Sequence, residues 1–176
     1  MKKDEIRKLL VEAATEQKIA NVYMKYNENY YNLIPISLNK QLLLAINEDD
    51  FIFDGFRVSR FRDIKAVRIK SDKCDEIVRS EGLFHNVKTP EIDLNDWYTV
   101  FGSLEKTGKN SIVEYETPEG SDDKFAIGKI DKVYKNCLYL YYFDADCEWE
   151  PMPWRIPYTK ATSVTFGSRY IDVFSK

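Results

Sequence analysis

Residues 137–173 read CLYLYYFDADCEWEPMPWRIPYTKATSVTFGSRYIDV, and their reading decides the fold. They form three β-strands in succession: an apolar, tyrosine-rich run, an acidic turn, an aromatic-Arg-β-branched strand and a second β-branched strand. Residues 41–76 echo them in the same order. Leu42 and Leu44 fall on Leu138 and Leu140 at an offset of 96, and Glu48 and Asp50 fall on Asp144 and Asp146. Phe56, Arg57 and Val58 fall on Trp154, Arg155 and Ile156 at an offset of 98. Val67 and Ile69 fall on Val164 and Phe166 at an offset of 97, as does Asp75 on Asp172. A unit of that length present twice is a tandem repeat of small domains, since a solenoid needs at least three copies.

The rest of the chain fits two such units. Residues 4–18 have helical spacing in Ile6, Leu9, Leu10 and Ala13, with Asp4 placed as N-cap. NVYMKY at 21–26 alternates as a first strand, and 27–32 is a polar, Tyr-bearing loop. Residues 33–46 are a bent strand or strand pair with a turn near 37–40, and 47–50 make an acidic hairpin turn. Asp54-Gly55 signals a two-residue turn or bulge between two short strands. Residues 64–70 put Val67 and Ile69 on one face and a basic set on the other. A second helix spans 93–104, capped by Asp93 with Asp96 at N3, striped by Leu94, Trp97, Phe101 and Leu104, and stopped near Gly108. Strands then recur at 111–116, 125–130, 133–143, 154–156 and 163–166, and 170–174 closes the unit. The expected organisation is a helix and first barrel in 1–73, a linker in 74–92, and a helix and second barrel in 93–176.

The fold class is therefore mainly β (α+β). The order of a short amphipathic helix followed by about five short strands resembles the Sm-like fold, a small bent barrel related in shape to SH3-like barrels. The chain as a whole also resembles bacterial proteins built from two such barrels, through Leu42-Leu43-Leu44, Asp49-Asp50 and Asp54-Gly55-Phe56-Arg57-Val58. That resemblance implies a fold and carries no activity. Sm proteins bind RNA through an Asp-x-φ-x-Asn loop and an Arg-Gly loop. Here Asp49-Asp50-Phe51 and Lys70-Ser71-Asp72 occupy the comparable places, and Phe166-Gly167-Ser168-Arg169 stands in the second copy.

Composition narrows the function. The chain is 44% hydrophobic and 14% aromatic, which suits a folded β-rich protein. The charged MKKDEIRK start lacks the apolar core of a signal peptide, and no run reaches the roughly 20 apolar residues of a membrane span. Cys74, Cys137 and Cys147 have no metal spacing, so a cytoplasmic protein with reduced thiols is expected. Residues 1–90 carry net +2 and residues 91–176 net −5, so the two units present different surfaces.

No catalytic set emerges, and the expectation is that the chain is not an enzyme and takes no cofactor. The one histidine, His85, lies in the linker, without zinc ligands or a nucleophile elbow. There is no phosphate-binding glycine loop. In a straight strand Asp144, Asp146, Glu148 and Glu150 would share one face, a possible Ca²⁺ or Mg²⁺ site, although a solvated acidic hairpin is the plainer account.

Two interaction surfaces remain. Trp149, Met152 and Trp154, interleaved with Pro151 and Pro153, make a rigid aromatic segment suited to protein binding or self-association if exposed. The basic strip Arg57, Arg60, Lys65, Arg68 and Lys70, with Arg62 and Lys73 nearby, is the alternative, a surface for RNA or DNA with Phe61, Tyr30 and Tyr31 as stacking partners.

Overall fold

The computed structural model describes residues 1–81, 87–117 and 124–175. The expectation attached to His85 falls outside the described residues, as does the side chain of Cys74. The chain is mostly β, with 43% strand and 25% helix.

Helix α1 (Lys3–Glu16) precedes β1 (Ala20–Met24), β2 (Tyr30–Leu38), β3 (Leu42–Asp49), β4 (Ile52–Arg60) and β5 (Ile64–Ile69). Helix α2 (Lys73–Ser80) follows, then α3 (Trp97–Thr107). The second series is β6 (Asn110–Tyr115), β7 (Lys124–Tyr134), β8 (Cys137–Tyr142), β9 (Trp154–Pro157) and β10 (Ser163–Phe166), closed by α4 (Arg169–Phe174). All ten strands belong to one antiparallel sheet in the order β5-β1-β2-β3-β4-β10-β6-β7-β8-β9. Each half thus has the same internal order, its fifth strand beside its first. The ladders and the matching bulges at Ile36 and Asp131, however, align Leu43 and Ala45 with Leu138 and Leu140, and Arg57 with Trp154, one residue away from the expected offsets of 96 and 98. The halves are joined where β4 pairs with β10, Val58 opposite Val164 and Arg57 opposite Thr165.

Several boundaries differ from the sequence reading. Asp4 does not cap α1. The N-cap is Lys2, without a side-chain bond, and Asp4 and Glu5 occupy the first turn, where carboxylates favour the helix dipole. Helix α3 is capped by Asp96, which accepts from the Thr99 amide while the Thr99 hydroxyl accepts from the Asp96 amide. Asp93 lies outside the helix, its carbonyl accepting from the Thr99 hydroxyl at 2.9 Å. Gly108 ends the helix in the left-handed conformation, as expected.

The β3–β4 turn is made by Asp50 and Phe51, both left-handed, at the end of the acidic turn expected at 47–50, and Asp54-Gly55 is a bulge opposite Asn47. Gly55 lies inside β4 with φ +76°, and a Cβ there would come within 2.6 Å of the Phe166 carbonyl oxygen and the Ser168 amide. Only glycine permits that approach of the two halves. Within the stretch expected to be a linker, 73–80 form α2, whose Val78 packs with Ile19, Ile34 and Ile46. Residues 169–174 form α4 after β10, as α2 follows β5, so the repeat extends one helix beyond the strands.

The largest core is shared by both halves. Leu42, Leu44 and Val58 pack there with Val100, Phe101, Leu104, Val113, Leu138 and Val164. A second core sits under α1, where Ile6, Leu10 and Ala13 meet Val22, Leu43 and Ile64. Strand β3 is therefore buried on both faces, which is why it reads as an unbroken Leu-Leu-Leu run. At the junction, Val58, Val164 and Val113 are in register and enter the shared core, whereas Arg57, Thr165 and Ile112 are in register on the opposite face.

Candidate interaction surfaces

The hairpin between β8 and β9 carries the aromatic segment. Asp144 shapes its turn, its Oδ1 accepting from the amides of Asp146 at 2.9 Å and Glu148 at 3.0 Å. Cys147 is left-handed at φ 62°. Asp144, Asp146 and Glu148 therefore lie on a turn and Glu150 beyond it, not all four along a straight strand. Among the described residues no three Asp, Glu, His or Cys side chains are grouped to hold a metal ion. Cys147 is an exposed free thiol and Cys137 a buried one.

Beyond the turn, Phe143 and Trp149 form a bridge with their rings edge to face at 4.9 Å. Trp154 stacks on Tyr142 at 5.3 Å, with the Lys124 ammonium 5.9 Å from its centroid. Neither indole is core. Trp149 is 51% exposed, Trp154 39% and Met152 76%. Burial keeps the Tyr142 phenol above its usual pKa, helped by Glu150, whose carboxylate accepts from it at 3.4 Å. The result is a fixed aromatic ridge bordered by acids, on an edge strand.

The basic strip is not one surface. Lys65 and Arg68 are exposed on β5, and Lys70 is half-buried beyond it. Arg60 is buried, with Nε donating to Asp63, Nη1 to the Thr159 carbonyl at 3.0 Å and Nη2 to the Tyr26 hydroxyl at 3.3 Å. Arg57 is only 6% exposed. Its Nη2 lies 2.7 Å from Glu114 Oε2 and donates to Ser163 Oγ at 2.7 Å, and its guanidinium covers the Tyr31 ring at 4.3 Å. Two of the five strip residues thus fasten the fold and present no charge to solvent.

Sequence reasoning missed Glu114 and Glu116, although SIVEYE sets both on one face of β6 with Val113 and Tyr115 on the other. It also missed the cleft that Arg57 floors. This cleft, about 500 Å³, crosses the β4–β10 junction on the face away from the shared core. Tyr31, Glu48 and Asp54 line it from the first half, and Glu114, Phe125 and Tyr170 from the second.

No known protein family, curated protein or solved structure matches the chain. No helix among the described residues is long and apolar enough to cross a membrane.

Proposed function

We propose that the chain is a non-catalytic cytoplasmic interaction module, two tandem small barrels of Sm-like or SH3-like type, that binds a segment of a partner protein on the Trp149, Met152, Trp154 ridge. The exposure of these three side chains carries the reading, because apolar groups of that size are ordinarily buried unless they meet something. Their neighbours give the partner its chemistry. Asp144, Asp146, Glu148 and Glu150 surround the ridge, so the matching segment is apolar and basic. The repeated strand order, with a helix before each series, supports the tandem-barrel description.

The alternative, RNA or DNA on the basic strip, has less support. Arg57 and Arg60 are consumed by internal carboxylates, leaving Lys65, Arg68 and the half-buried Lys70.

A displayed library of random peptides, selected on the full-length protein, tests the reading. The expected consensus pairs a large apolar residue with Lys or Arg. Binding should blue-shift the indole emission and fall at least tenfold when Trp149, Met152 and Trp154 are all changed to serine, while Lys65→Glu with Arg68→Glu leaves it unchanged. Ligands that bind the triple-serine protein as well as the parent would overturn the reading.

A further inference from the structure

The cleft over the half-to-half junction is a second surface, separate from the aromatic ridge. Its volume of about 500 Å³ is that of a small-ligand site, and it is open at one side to Tyr30, Phe125 and Tyr170, each about half exposed. The Tyr31 face is already covered by Arg57. Tyr30 packs on Tyr23 at 5.3 Å and Tyr170 on Phe174 at 4.7 Å, and these two rings and Phe125 each keep about half their surface open to a ligand.

The charges in the cleft are unbalanced. Glu48, Asp49 and Asp54 line it from the first half and Glu114 from the second. Arg57 is the one cation among the lining residues, and Glu114 holds it. Among the described residues no cation pairs with Glu48, Asp49 or Asp54. Glu48 is the telling member, since it is only 5% exposed. Its Oε1 accepts from the Phe51 amide at 2.9 Å, but its Oε2 is buried without a hydrogen-bond partner. A buried carboxylate oxygen with no donor is costly, and a donor that brings positive charge relieves it best.

Arg57 Nε also lies buried without an acceptor, but four carboxylates against that one cation disfavour an anion. A metal ion is disfavoured because the carboxylates are not grouped as ligands among the described residues. Acids combined with open aromatic faces suit an organic cation. We propose that the cleft binds an alkylammonium or guanidinium group. Glu48 receives its N–H donors, Asp49 and Asp54 supply field, and Tyr30, Phe125 and Tyr170 hold the attached chain.

Titration of the ¹⁵N-labelled full-length protein tests this with pentylammonium and agmatine as free cations, a blocked Gly-Lys-Gly peptide as a side-chain source, and pentanol as the uncharged control. The charged probes should give saturable shifts at the amides of Glu48, Asp49 and Tyr170, and pentanol should not. Glu48→Gln keeps the volume and removes the charge, and Tyr170→Ala removes a half-exposed ring whose aromatic neighbour is Phe174. Each should weaken binding at least fivefold with the rest of the spectrum unchanged, and if the glutamine variant does not fold, the alanine variant decides. Stronger binding of the peptide identifies a partner's side chain as the occupant, and equal or weaker binding a free amine. Either result upholds the proposal. Absence of saturable shifts, equal response to pentanol, or undiminished binding by the folded variants overturns it.

Discussion

Arg57 ties the two halves together through a single side chain. Its guanidinium reaches from β4 past β10 to Glu114 on β6, with Ser163 bridging the same carboxylate at 2.6 Å and Glu116 4.0 Å away. Buried ion pairs often contribute little net stability, because desolvation offsets attraction, but losing one partner leaves a charge stranded. Arg57→Met should therefore destabilise the fold by roughly 3 kcal/mol, the lower part of the usual range because the Glu114 side chain is 21% exposed. Combining it with Glu114→Met should recover most of that loss, because an apolar pair of similar volume replaces the ion pair. Urea denaturation of the three proteins measures both numbers. A single variant as stable as the parent would mean that the ion pair does not clamp the halves. The sequence displayed Arg57 as part of a basic strip because its partners lie about 57 and 108 residues further on, and nothing local shows a pairing at that range.

At the level of elements, the helix that opens the second half gives the clearest discrimination. Asp93 and Asp96 are both plausible caps by composition, but only Asp96 makes the reciprocal pair with Thr99. Asp96→Ala should cost about 1 kcal/mol and Asp93→Ala distinctly less, read from thermal unfolding midpoints. Equal losses would place the cap elsewhere. The same example marks what was legible. The order of the two series followed from the Leu-rich strand, acidic turn and aromatic-Arg strand, but not their register. The ladders set Leu43 on Leu138 and Arg57 on Trp154, one residue from the offsets read in the sequence, because adjacent apolar residues on a strand buried on both faces fit either alignment. Asp54-Gly55 was ambiguous because a turn and a bulge demand the same residue types, and the ladder decides for the bulge, with both residues opposite Asn47. Helix α2 was hidden because its one fully buried apolar contact, Val78, is too little to set a period. The exposure of Trp149 and Trp154 was left open, since aromatic residues on a two-faced strand fit either side. The cleft was beyond reach, because its walls come from β2, β3, β4, β6, β7, β10 and α4, which meet only once β4 finds β10.

On the scale of the whole molecule, β5 and β9 are the two ends of the sheet. Each holds the position in its half that β10 and β4 hold at the internal junction, so the chain carries a template for joining copies head to tail. The ladders fix the equivalence, because Leu140 pairs with Trp154 as Ala45 pairs with Arg57, so the junction pairing would set Trp154 against Arg68, Arg155 against Val67 and Ile156 against Ala66. The Val58–Val164 pair of the junction is thus replaced by exposed Arg155 against buried Val67. The position of Glu114 is taken by Tyr23, so no carboxylate meets Arg68. Pro157 falls opposite Lys65 and brings no amide to the ladder. These are the features by which edge strands avoid pairing with further copies. The wild-type protein should sediment as a single 20.7 kDa species across a wide concentration range. Arg155→Val should introduce concentration-dependent association, because it restores the Val–Val pair of the internal junction at the edge. Wild-type protein that already associates, and does so equally with valine at 155, would mean that these edges are not held apart by the charge at 155. The unpaired edge beside Trp154 would then count as a self-association surface and not as the margin of a docking ridge.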